Sequence, residues 1–226
     1  FWIIAAVALL AAVLVLRSLP DSPQASGERS LGQALRVVAG IYAAPAFLRY
    51  APASVFFVGG FMALQSLWVV PWVMNVNGLD LSGAATVLVA LNLGNLAGQL
   101  SIGLLGVRLA RARVEPVTLL RAGYGGMLVV QALILWSALP PLLLWSVFGV
   151  LTAVNSQTYL AAARAFPVAL FGRVSTALNL MAFAGAFGVQ WGIGIGLDLM
   201  QAGGADLRSA LAYGFAALLV LQAFAF

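Results

Sequence analysis

Apolar residues arrive in seven blocks, separated by polar interruptions that are short except for the first. The blocks run 1–16, 54–76, 83–107, 117–138, 141–163, 174–200 and 209–226. A helix needs about 20 apolar residues to cross a bilayer. In lipid, every backbone N–H and C=O must pair within the protein, so only helices or closed barrels cross. The blocks are continuous and rich in Ala, Leu and Val, and they lack the ten-residue alternation of barrel strands. The pattern therefore predicts an all-α membrane protein, a polytopic helix bundle.

Residues 17–50 form the one long hydrophilic connection. The part from Arg17 to Ser30 is rich in Pro, Ser and Gly and reads as linker. Beyond it, Leu31, Leu35, Val38, Ile41 and Tyr42 fall at helical spacing, flanked by Arg36 and Arg49. Two placements suit such a helix: flat on the membrane surface, or packed against the bundle.

Polar residues inside the blocks are ordered. Asn92, Asn95 and Gln99 stand at i, i+3 and i+7, on one helix face. Gly94 and Gly98 occupy another face, spaced for close helix contact. Asn179 and Gln190 align after about three turns, with Gly188, Gly192 and Gly196 roughly opposite. Gln65, Trp68 and Trp72 form a stripe in the second block, and Thr152, Asn155 and Tyr159 form one in the fifth. The first, fourth and seventh blocks carry little polarity, with Gln131 and Gln222 as isolated amides. Polar side chains in a span face the bundle interior or a water-filled cavity. A single amide reads best as glue between helices. Stripes that also carry Trp or Tyr read best as cavity wall. Pro71 removes one backbone hydrogen bond and predicts a kink.

Composition sharpens this picture. Hydrophobic residues make up 63% of the 226, only 8% are charged, and mean hydropathy is +1.06. A soluble domain would be about 25% charged. There is no Cys or His, and every basic residue is Arg. Disulfides, thiolate or imidazole metal sites, Ser–His catalysis and Schiff-base Lys are all excluded, so no enzyme and no cofactor is expected. Ten arginines lie on one side of the spans and only Arg208 on the other. By the positive-inside rule, loops 17–50, 108–116 and 164–173 are cytoplasmic. That rule and anionic headgroups account for the net charge of +5, so nucleic acid is not a partner. The Lys-free, Ala- and Gly-rich usage points to a bacterial inner membrane. Phe1 and Phe226 both lie inside apolar blocks, so block 1–16 reads as the tail of a truncated helix. Arg17 follows that block, whereas a secretory signal carries its positive charge first.

Three stretches resemble the C-terminal half of a major facilitator superfamily transporter. They are Trp68-Val-Val-Pro-Trp72 with Asn77-Gly-Leu-Asp80, Gly103 through Arg108 to Arg111, and Gln190-Trp-Gly-Ile-Gly194 leading to Asp198. The second is similar to the family's basic cytoplasmic loop motif, here Gly103, Arg108, Arg111 and Arg113. Val107 stands where that motif carries Asp, so its charge lock is not expected, and Glu115 is the nearest acid. The resemblance implies helix six at 1–16, a linker at 17–50 and a six-helix bundle at 51–226. It also implies inverted three-helix repeats and a missing N-terminal half of six helices as partner.

The expected function is secondary transport of a small organic solute by alternating access, probed by Gln65, Trp68, Trp72, Asn92, Asn95, Gln99, Thr152, Asn155, Tyr159, Asn179 and Gln190. Protons or another ion would couple through an acid in the other half, since none lies mid-span here. The alternatives are a seven-helix receptor, in which the absence of Lys excludes a retinal Schiff base, and a structural membrane subunit.

Overall fold

The computed structural model describes residues 2–18 and 31–226. The linker expectation for residues 19–30, Arg29 included, lies outside the described residues. All described regular elements are helical. They are α1 (Trp2–Ser18), α2 (Leu31–Ala43), α3 (Pro45–Asn75), α4 (Leu81–Arg111), α5 (Pro116–Leu135), α6 (Pro141–Thr152), α7 (Asn155–Ala163), α8 (Phe171–Ala202) and α9 (Leu207–Ala225). Five stretches are long and apolar enough to cross a membrane: Pro45–Asn75, Leu81–Leu109, Pro116–Leu135, Val168–Ala202 and Leu207–Ala225. The protein is a polytopic helical membrane protein.

The chain divides into two compact units, Phe1–Arg36 and Val37–Phe226. In the first, α1 is a single helix with exposed side chains from Ala5 to Ser18. The second holds the bundle. Its helices start where proline is tolerated: Pro45, Pro116 and Pro141 each occupy the first turn, where a missing N–H leaves no bond unmade. Asp206 precedes α9, and a hydrogen bond from the Ser209 side chain holds its carboxyl below the usual carboxylate range.

The structure changes two expectations about the elements and decides between the two readings of a third. The second span begins at Pro45, not near Ser54, so Arg49 lies inside α3. At the end of α2, Ile41 is buried, and Val37 and Tyr42 join it against Val174 and Leu178 of α8. This part is packed on the bundle, while Leu35 and Val38 stay exposed. The fifth block is two helices. Thr152 Oγ1 donates back to the Gly149 carbonyl at 2.6 Å, a bond that competes with regular helix. Ala153 and Val154 then turn before α7, and the Val154 isopropyl fills the space beside Gly123 of α5.

Helix α3 carries two wide π-turns, Ser54–Gly59 and Leu64–Trp68. Each adjoins a proline that cannot donate, Pro52 before the first and Pro71 after the second. The carbonyl four residues before Pro71 is that of Leu67, inside the second turn. Insertions of this kind disturb the regular ladder and free backbone groups. At the first turn, the Phe56 carbonyl accepts Nε2 of Gln222 from α9 at 3.0 Å.

Two helix pairs cross at bare backbone. Where α3 meets α8, a Cβ on Gly59 would lie 2.5 Å from the Ala182 carbonyl, and one on Gly185 would strike that of Val55. Where α4 meets α6, a Cβ on Gly94 would strike the Ser146 carbonyl, one on Gly98 that of Val150, and one on Gly149 that of Leu91. The expected contact at Gly94 and Gly98 forms. Gly188, Gly192 and Gly196, at the same spacing, make no such contact: a Cβ on any of them would meet nothing within 4 Å, and Gly185 makes the α8 crossing. The aromatic core lies between the pairs. Trp72 stacks on Phe215 of α9 with ring centroids 4.3 Å apart. Trp145 stands edge-on to both Phe148 and Phe215.

Candidate functional site

Five of the candidate residues sit at helix seams. Asn95 Nδ2 on α4 donates to Thr152 Oγ1 on α6 at 2.9 Å. Gln190 Nε2 on α8 donates to Ser66 Oγ on α3 at 2.7 Å. The Tyr159 hydroxyl on α7 reaches Asn179 Oδ1 on α8 at 3.4 Å. Each pair ties helices from two of the four blocks that carry polar stripes. Such bonds are worth about 0.6–2 kcal/mol in a membrane, and the first two match the glue reading of a single amide.

The remaining candidates separate by burial. Trp68 and Trp72 are buried, and both indole nitrogens lack a hydrogen-bond partner. Trp72 is wholly inside, stacked on Phe215. Its place is the core of this bundle, and the stripe it was expected to form with Gln65 and Trp68 does not bring it to a cavity wall. Asn155 is also buried, and its Oδ1 is unpartnered. Gln65 is half-buried. Asn92, Gln99 and Asn179 are exposed. Asn92 Nδ2 donates to its own helix at the Leu88 carbonyl, 2.8 Å away.

Among the clefts on the bundle are two that none of these eleven residues lines. One, of about 660 Å³, runs between α8 and α9 beside Val55 and Phe56 and includes Gly188, Gly192 and Gly196. The other, of about 520 Å³, lies among α4, α5 and α7 and includes Gly103 and Arg113 of the basic loop stretch. Arg108 and Arg111 are exposed at the end of α4.

Several polar residues act without having stood out in the sequence. Ser54 Oγ donates to the Leu178 carbonyl across the α3–α8 crossing at 2.8 Å. Tyr124 and Thr158 share a buried hydrogen bond between α5 and α7. Gln131 and Gln222, marked in the sequence only as isolated amides, lie inside the bundle. Hydroxyls carry little weight in a hydropathy pattern, and a lone amide has no stripe to mark it. Replacing Gln222 with Leu is therefore expected to lower thermal stability in detergent, by about 1–3 kcal/mol, by leaving the Phe56 carbonyl unpaired. A Gln222→Leu variant as stable as the parent would show that the bond contributes nothing.

No family model matches the chain, and no curated protein matches it.

Proposed function

We propose that this chain forms one six-helix half of a secondary transporter of the major facilitator type, moving a small neutral or amphipathic organic solute by alternating access. The observation that carries the reading is the pair of amides exposed on either side of the middle of α4, Asn92 and Gln99. Lipid is a poor neighbour for them. A water-filled passage shared with a second bundle satisfies both. Asn179 adds a third exposed amide on α8.

The helix pairing supports the same reading. In two inverted three-helix units, the first helix of one unit and the second of the other form equivalent pairs. The glycine crossings α3–α8 and α4–α6 correspond to those two pairs, with Gly185 and Gly94 at similar depths in their helices. No acid lies in the middle of these spans, so a coupling ion would titrate a group elsewhere in the full transporter. The second reading is a structural membrane subunit, whose exposed amides would be covered by another protein. The closed Asn95–Thr152 and Gln190–Ser66 pairs favour it, because they bind helices together rather than solute.

The chain contains no Cys, so single cysteines report water access directly. In intact membranes, a membrane-impermeant maleimide is expected to label Asn92→Cys and Gln99→Cys. It should spare Leu93→Cys and Leu100→Cys, which are also exposed but are turned about 100° around the helix from Asn92 and Gln99 respectively. Silence at all four positions would place the amides against lipid or protein and end the transporter reading.

A further inference from the structure

The cleft among α4, α5 and α7 has walls of two kinds. Leu109, Leu119 and Leu160 make it apolar, and Gly103 and Gly106 expose bare α4 backbone with nothing packed on it. Two cations border it, Arg113 from the α4–α5 connection and Arg164 just past α7. Among the described residues, neither guanidinium has a hydrogen-bond or ion-pair partner. Glu115 is the one acid on the cleft, leaving one positive charge in excess.

Arg113 is held there by an unusual backbone. Helix α4 ends with the Val114 N–H bonded to the Leu109 carbonyl at 2.9 Å, the closing bond of a Schellman turn. The residue before Val114 must then be left-handed, a position that glycine usually takes. Here it is Arg113, with φ of 55°. A long cation kept at a glycine position, against its steric preference, turns attention to what the side chain does there.

We infer that this cleft binds the phosphodiester headgroup of a membrane phospholipid. Arg113 and Arg164 hold the phosphate, and an acyl chain lies along the glycine-lined wall of α4. The chemistry matches in three ways. A phosphodiester carries one negative charge, equal to the excess in the cleft. Arginine pairs with phosphate oxygens through two parallel N–H bonds. Basic pockets between spans at a membrane face take lipid headgroups. Free phosphate shares the anionic chemistry but has no use for the apolar wall.

The test is native mass spectrometry of the full-length protein titrated with phosphatidylglycerol, diacylglycerol or inorganic phosphate. Phosphatidylglycerol is expected to bind and diacylglycerol to bind far more weakly. Arg113→Gln and Arg164→Gln should each weaken phosphatidylglycerol roughly fivefold, and Glu115→Gln should tighten it by a similar factor. Arg208→Gln, off this cleft, should change nothing. Arg113→Gly is the decisive variant, because it suits the turn: it should raise thermal stability without lipid and still lose affinity. Misfolding cannot mimic that combination, nor the gain at Glu115→Gln. Equal binding by Arg113→Gln, Arg164→Gln and the parent would overturn the inference. Displacement of the lipid by millimolar inorganic phosphate would reassign the cleft to a soluble anion and overturn it too.

Discussion

Gly149→Ala is expected to be among the most damaging single substitutions in the bundle. The new methyl would be driven into the Leu91 carbonyl of α4. That atom is backbone in a regular helix and cannot rotate away, so α4 and α6 would have to separate along their seam. Overpacking of a tight core typically costs about 1–3 kcal/mol, and more where the neighbour cannot move. A clash with backbone belongs at or above the upper end. Separation would also break the Asn95–Thr152 hydrogen bond, which bridges the same two helices. The proper comparison is Gly188→Ala, where a Cβ meets nothing within 4 Å. There the substitution is expected to be neutral, or to stabilise by up to about 1 kcal/mol through helix propensity. Thermal aggregation midpoints in detergent, measured by size-exclusion chromatography, would separate the two. Similar midpoints for Gly149→Ala and Gly188→Ala would refute the placement of the α4–α6 crossing.

The second large effect concerns Trp72. Its side chain is fully buried and stacked on Phe215, so Trp72→Ala leaves a large cavity between α3 and α9. Such truncations cost about 3–5 kcal/mol. The loss should appear as lowered stability with or without any solute, and Trp72→Phe should restore much of it. Gln99→Ala should behave oppositely: its side chain is exposed, so stability should hold while transport falls. If Trp72→Ala kept its stability and lost only transport, Trp72 would return to the passage wall and the packing reading would fail. The pair of variants distinguishes a residue that builds the bundle from one that serves its surface.

The contrast between Trp72 and Gln99 shows where sequence reasoning stops. Both stood on polar or aromatic stripes, and spacing alone assigns them to a common kind of face. The stripe through Gln65, Trp68 and Trp72 assumes a regular 3.6-residue turn, yet α3 carries a π-turn over Leu64–Trp68. Inside that turn it is Ser66, a residue outside the stripe, that bonds Gln190. The glycines tell a similar story. Gly94 and Gly98 share spacing with Gly188 and Gly192, but only the first pair meets another helix's backbone. A small-residue repeat states that close approach is permitted. It does not state that a helix is there to approach. The break between α6 and α7 was also hidden, because Thr152 draws its hydroxyl back to the Gly149 carbonyl inside an otherwise continuous apolar run.

What the sequence determined by itself was the solvent of the protein and hence its class. A chain with 63% hydrophobic and 8% charged residues, without the alternation of barrel strands, can satisfy its backbone in lipid only by forming helices, and most of these apolar blocks are long enough to cross. Its arginine asymmetry and its lack of Cys, His and Lys are likewise properties of composition and order alone. Tertiary structure decided which face of each helix meets protein. Against lipid, an apolar side chain gains almost nothing by moving from bilayer to bundle, so hydrophobicity, the signal that marks inside and outside in a soluble protein, is nearly silent here. The faces are chosen instead by shape and by hydrogen bonds. Gly149 fits under Leu91, Gln222 reaches the Phe56 carbonyl, and Trp72 finds Phe215. Those fits depend on partners far away in the chain, and no local pattern contains them.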